Sequence, residues 1–110
     1  MSEESSLIYN KALDILSRRE HSAKELIFKL EKKFDSTEEI FLTVSKLKKN
    51  NLLNDFRYAE AYVVARKRKG FGPKKIKFEL LSKGIDESDI HKVLNEEGGW
   101  KKAAKNAFDK

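Results

Sequence analysis

SAKELIFKL, residues 22–30, and GPKKIKFEL, residues 72–80, align with one another at a shift of 50 residues. Leu26 falls on Ile76, Phe28 on Phe78 and Leu30 on Leu80. The same shift holds downstream, placing Lys33 on Lys83, Ile40 on Ile90 and Val44 on Leu94. It also places Ser22 on Gly72 and Ala23 on Pro73, and both copies then read as helix starts. Ser22 with Glu25 forms a capping box, and Pro73 suits a first helical position. Apolar residues three and four apart predict helices on either side of these starts. The chain is therefore read as a duplicated three-helix unit.

Working outward, Tyr9, Ala12, Leu13 and Leu16 make a first apolar stripe behind Glu3 and Glu4, acidic residues that favour a helix N-terminus. In the second segment Leu26 and Leu30 lead on to Phe34. Ser36 with Glu39 repeats the capping pattern ahead of Ile40, Val44 and Leu47, and Asn50-Asn51 ends that helix. Asn54 or Asp55 caps a fourth segment striped by Phe56, Ala59, Tyr62 and Val63. Gly70-Phe71-Gly72-Pro73 separates it from a fifth, which carries Ile76, Leu80 and Leu81 and stops at Gly84. Asp86, with Asp89 three residues on, caps a sixth bearing Ile90, Val93 and Leu94. At a shift of 91, Trp100, Ala103, Ala104 and Ala107 fall on Tyr9, Ala12, Leu13 and Leu16.

The expected fold is all-α, one helical-repeat domain over residues 1–110. Repeat one covers about 5–53, repeat two about 54–97, and the first helix of a third about 99–110. A three-helix unit has little core of its own, so stacked units should form an elongated, curved array.

Composition narrows the function. The 110 residues hold no cysteine, which excludes disulfides, thiolate zinc sites and a cysteine nucleophile. His21 and His91 share no metal-ligand spacing, and acidic residues fall at caps and on solvent faces without pairing. No enzyme, cofactor or metal is expected. Both histidines are expected at the surface or at caps. No apolar run approaches the ~18 residues of a membrane span, and no leader opens the chain. A cytoplasmic monomer is expected.

The 24 Lys and Arg exceed the 18 Asp and Glu by a net +6. Between Glu60 and Gly84 lie eight basic residues, Arg66, Lys67, Arg68, Lys69, Lys74, Lys75, Lys77 and Lys83, against only Glu60 and Glu79. This stretch matches the whole chain's excess. It reads as a phosphate-binding surface or as a solvated basic face, with no base-reading signature. Gly70-Phe71-Gly72 lacks a Walker pattern and reads as a helix-to-helix turn. Arg66 shares a face with Ala59, Tyr62 and Val63. It must snorkel, find a carboxylate such as Glu79, or face a partner. Asp55 and Arg57 divide the same way between cap or local ion pair and contact. Tyr62 and Phe78 are expected in the core, and Phe71 is expected to be the exposed aromatic.

Ala12-Leu13-Asp14-Ile15-Leu16-Ser17-Arg18-Arg19-Glu20-His21-Ser22-Ala23-Lys24-Glu25-Leu26, continuing through Lys29-Leu30, resembles the opening of RecX regulatory proteins. So do Leu53-Asn54-Asp55-Phe56-Arg57-Tyr58-Ala59-Glu60-Ala61-Tyr62 with Arg66, and the run from Gly70-Phe71-Gly72-Pro73 to Leu80 with Lys83-Gly84-Ile85. The resemblance implies tandem three-helix repeats and a non-enzymatic modulator of the RecA recombinase. Such proteins bind RecA–DNA filaments and oppose filament extension, ATPase, strand exchange and coprotease activity. It implies filament or DNA-phosphate contact through Arg66, Lys67, Arg68, Lys69, Phe71, Lys74, Lys75 and Lys77. It gives Asp55, Arg57, Gly72, Ile76, Leu80, Lys83 and Gly84 structural roles. Family members usually have three complete units, whereas the third here stops after one helix. Phe34 also stands where the second unit has Gly84. A helix-turn-helix DNA-binding protein and a protein-only helical adaptor are the alternatives. Against the former, the would-be recognition helix shows mainly Lys, without the Asn, Gln or Arg that read base edges.

Overall fold

The computed structural model describes residues 3–100, and the expected third-repeat helix at 99–110 lies almost wholly outside them. The described residues form six helices: α1 (Glu3–Arg18), α2 (Ala23–Glu31), α3 (Thr37–Lys49), α4 (Asp55–Arg68), α5 (Pro73–Ser82) and α6 (Glu87–Glu97). The chain divides into two compact units, with the boundary between Asp55 and Phe56. The 50-residue shift maps the starts of α2 and α3 onto those of α5 and α6.

In the first unit Leu26 and Leu30 of α2 and Ile40, Val44 and Leu47 of α3 close over α1, with Leu53 completing the core. The α1 seam differs from the expected one. Ile8, Ala12 and Ile15 are buried, while Tyr9, Leu13 and Leu16 flank them half-buried. Nearly half of α1 is apolar, so two adjacent stripes compete and only α2 and α3 decide between them.

The second unit packs Tyr58, Ala59 and Val63 of α4 against Ile76 and Leu80 of α5 and Ile90 and Val93 of α6, with Ile85 between the last two helices. Two expected core residues face outward instead: Leu81 is exposed, and Phe78 is 74% exposed. Phe78 lies two residues from both Ile76 and Leu80, which puts it on the opposite side of a helix with 3.6 residues per turn. Its counterpart Phe28 is 60% exposed for the same reason.

Three helices end in the same way. Asn51, Gly70 and Gly84 take φ of +59°, +91° and +81°. The next residue's N–H then returns to a carbonyl five residues back: Leu52 to Leu47, Phe71 to Arg66 and Ile85 to Leu80. This Schellman geometry satisfies carbonyls that the helix end leaves open. The end of α2 departs from it. The residue after the cap is Lys33 rather than glycine, and both Lys33 and Phe34 donate to the Leu30 carbonyl.

Candidate nucleic-acid interface

The turn from α4 to α5 collects the expected contact residues. Gly70 takes the left-handed conformation, Gly72 is the N-cap of α5, and Pro73 starts that helix. No side chain caps this N-terminus and its first turn holds no acidic residue, while Lys74 and Lys75 stand exposed there. The equivalent start of α2 is closed. Ser22 Oγ accepts from the Glu25 N–H, and the Glu25 carboxylate accepts from the Ser22 N–H. Asp55 Oδ1 accepts from the Ala23 N–H at 2.7 Å. A helix start carries partial positive charge and unpaired N–H groups. In α2 those are internally satisfied, whereas in α5 they face outward beside two lysines.

The eight basic and aromatic candidates separate by environment. Arg66 is committed inward: Nε and Nη2 donate to the two carboxylate oxygens of Glu79 at 3.0 and 2.8 Å. Tyr62 donates its hydroxyl to the same carboxylate at 3.1 Å. Of the outcomes open to Arg66, pairing with Glu79 is the one observed. The Arg66 hydrogen bonds hold the Glu79 carboxyl below its ordinary range, aided by Tyr62 and opposed by burial. Phe71 is half-buried rather than exposed, because the Arg66 guanidinium lies 3.9 Å from its ring centroid. Lys75 Nζ approaches the same ring at 5.2 Å, so the ring faces two cations.

Lys67 is also engaged, donating to the Gly98 carbonyl at 2.7 Å and pairing with Glu97 at 3.4 Å. It lies 5.1 Å from the Trp100 ring, whose indole N–H donates to the Leu94 carbonyl. Nothing in the spacing of Lys67 from residues 97–100 foretold this. Lys77 pairs with Glu87 at 3.0 Å. Arg68, Lys69, Lys74 and Lys75 are exposed and form no ion pair among the described residues. The cations left to a partner are thus those around the turn, rather than the whole run from Arg66 to Lys77.

The remaining family-motif residues have structural positions. Ile76 and Leu80 are core, Lys83 is the C-cap of α5, and Gly84 follows it. Arg57 is half-buried near the start of α4. Asp86 is the N-cap of α6 but makes no side-chain cap bond; it accepts from Ser88 Oγ instead.

His21, expected at the surface or at a cap, directly precedes the N-cap Ser22 and is only 1% exposed, so it is not at the surface. Its Nδ1 lies 2.9 Å from the Arg19 carbonyl and its Nε2 lies 2.7 Å from Lys29 Nζ. A carbonyl only accepts and an ammonium only donates, so Nδ1 carries the proton and the ring is neutral. Burial pushes its pKa below the ordinary value, and the charges of Arg19 and Lys29 push the same way. His91 is exposed, with Nε2 3.1 Å from the Asn95 amide.

Comparison with known proteins agrees with this architecture unit by unit. Residues 9–47 match the RecX first three-helix domain, and residues 54–94 match the RecX second three-helix domain. The chain is 38% identical over 103 residues to the regulatory protein RecX of Legionella pneumophila strain Corby, covering 93% of this chain and 69% of that one. It is 36% identical over 100 residues to the regulatory protein RecX of Pseudomonas fluorescens strain Pf-5, covering 90% and 64% respectively. The crystal structure of RecX from Lactobacillus salivarius superposes with a TM-score of 0.82 at 33% identity, covering 89% of this chain and 64% of that one. The chain therefore spans about two thirds of the length of these relatives. With both three-helix units matched in order, the chain belongs to the RecX family of regulatory proteins.

Proposed function

We propose that this chain is a non-enzymatic regulator that binds RecA–DNA filaments and opposes RecA activity, meeting DNA phosphates through the α4–α5 turn. Membership of a family of regulatory proteins supports the regulatory role, and the resemblance drawn from the sequence supplies RecA as the partner. The observation that carries the phosphate contact is the uncapped start of α5, with Lys74 and Lys75 exposed in its first turn and Lys69 exposed just before the turn. Backbone N–H groups at a helix start and nearby ammonium groups both attract phosphate, without reading base sequence. Arg66 and Phe71 brace the turn from within rather than touching the partner.

The test compares binding to bare single-stranded DNA and to RecA-coated DNA near physiological salt, with RecA ATPase followed in the same samples. Preference for the coated strand with falling ATPase is the expected result. Equal or tighter binding to bare DNA with ATPase unchanged would overturn the filament reading.

A further inference from the structure

The first unit holds a cationic feature of its own. Between α1 and the start of α2 lies a hollow of about 300 Å³, lined by Lys11, Asp14, Arg18, Arg19, His21 and Lys29. Its charges are poorly matched. Asp14 is shared by Lys11 and Arg18, both at 3.6 Å, beyond hydrogen-bonding range. Arg19 is answered by Glu25 at 3.3 Å. Lys29 has no carboxylate among the described residues and spends a donor on the neutral imidazole of His21. Beside the rim, the neighbouring Lys11 lowers the Lys33 pKa. Lys29 and His21 thus meet directly, two basic groups with no carboxylate between them.

The repeat shows that this arrangement is no by-product of the fold. At the 50-residue shift Lys11, His21 and Lys29 correspond to Ala61, Phe71 and Glu79. The second unit fills the same places with a small residue, an aromatic ring and the carboxylate that neutralises Arg66. The two units share core and caps but differ in charge at this location.

We propose that the hollow binds a phosphate group, held by Lys11, Arg18 and Lys29 with His21 as the buried stop behind Lys29. A group carrying up to two negative charges and several acceptor oxygens suits three cations that converge on one space and lack short bonds to carboxylates. A single carboxylate would leave the excess positive charge uncompensated. The phosphate belongs to a free ion or nucleotide, or to a nucleic-acid strand. This inference stands apart from the filament reading and needs no recombinase for its test.

The experiment titrates the full chain with inorganic phosphate, following backbone amide and His21 imidazole signals by NMR, with chloride at equal ionic strength as control. Saturable shifts at residues 11–29 are expected, weakened about tenfold by Lys29→Gln, a change at an exposed side chain worth ~1.4 kcal/mol. Lys11→Gln provides an independent second variant and should weaken binding in the same direction. Competition then identifies the source. Displacement only by a 5′-phosphorylated oligonucleotide indicates a strand end, and equal displacement by the unphosphorylated oligonucleotide indicates the backbone. Displacement by neither indicates a free phosphate compound. Shifts that never saturate, that appear equally at Lys74 and Lys75, or that survive both substitutions would overturn the proposal.

Discussion

The pairing of Arg66 with Glu79 makes a quantitative claim on the stability of the second unit. Its side chains are 23% and 21% exposed, so it is neither a surface ion pair nor a fully buried one. At an effective dielectric of ~20, two unit charges ~4 Å apart attract by about 4 kcal/mol before desolvation is counted. Desolvation and side-chain ordering remove roughly half, leaving a coupling of about 2 kcal/mol for this bidentate geometry. The perturbation is a double-mutant cycle of Arg66→Met, Glu79→Gln and the combined variant, read by urea unfolding at pH 7. Each single change should destabilise by about 2 kcal/mol, roughly 8 °C in Tm for a chain of this size. The double variant should lose little more than either single one. A coupling below about 0.5 kcal/mol would mean that the two side chains act independently. The assignment of Arg66 to an internal role would then fail, and Arg66 would return to the surface that meets a partner.

Replacing Lys74 and Lys75 together by Gln should leave stability within about 0.5 kcal/mol of the parent, because both are exposed. It should flatten the logarithmic salt dependence of DNA binding by nearly two units, measured by fluorescence anisotropy across salt concentrations. Phe78→Ser should likewise fall within about 0.5 kcal/mol in urea melts, whereas Leu80→Ala should lose about 2–5 kcal/mol from the core. The His21 imidazole is held neutral in the folded chain, with a pKa below its ordinary 6.5. The unfolded chain takes up that proton first as pH falls. His21 should therefore contribute no destabilisation above pH 6.5 and progressively more below it, down to the lowered folded pKa. Urea midpoints of the parent at pH 7.5 and 5.5 should differ by more than those of His21→Phe, and equal differences would refute the assignment.

Much of this architecture was readable because helices announce themselves twice, by apolar spacing and by their ends. The capping box at Ser22 and Glu25, the Asn50-Asn51 break and Pro73 after Gly72 each placed a boundary within a residue or two. The pairing of Arg66 with Glu79 was accessible because a charge on an apolar face needs an answer and few carboxylates lie near. Phe78 was legible too, had the angle from Ile76 been weighed above the residue's hydrophobicity. Other features depend on tertiary contacts that no local pattern records. The α1 seam through Ile8 and Ile15 is selected by α2 and α3 rather than by α1. His21 sits in a connecting segment, where burial has no period. Lys67 is occupied by residues some thirty positions away, which removes a charge that the linear tally assigns to the surface.

The contrast between the closed start of α2 and the open start of α5 also equips the molecule with its own reporters. The Glu25 amide proton is held by Ser22 and the Ala23 proton by Asp55, so both should exchange slowly with deuterated solvent. The amide protons of Lys74 and Lys75 have no acceptor among the described residues and should be lost at once. A ligand seated on α5 would slow exactly those fast protons without disturbing the slow pair. Hydrogen exchange can thus register occupancy of the turn against a built-in internal reference, with no label attached and no residue changed.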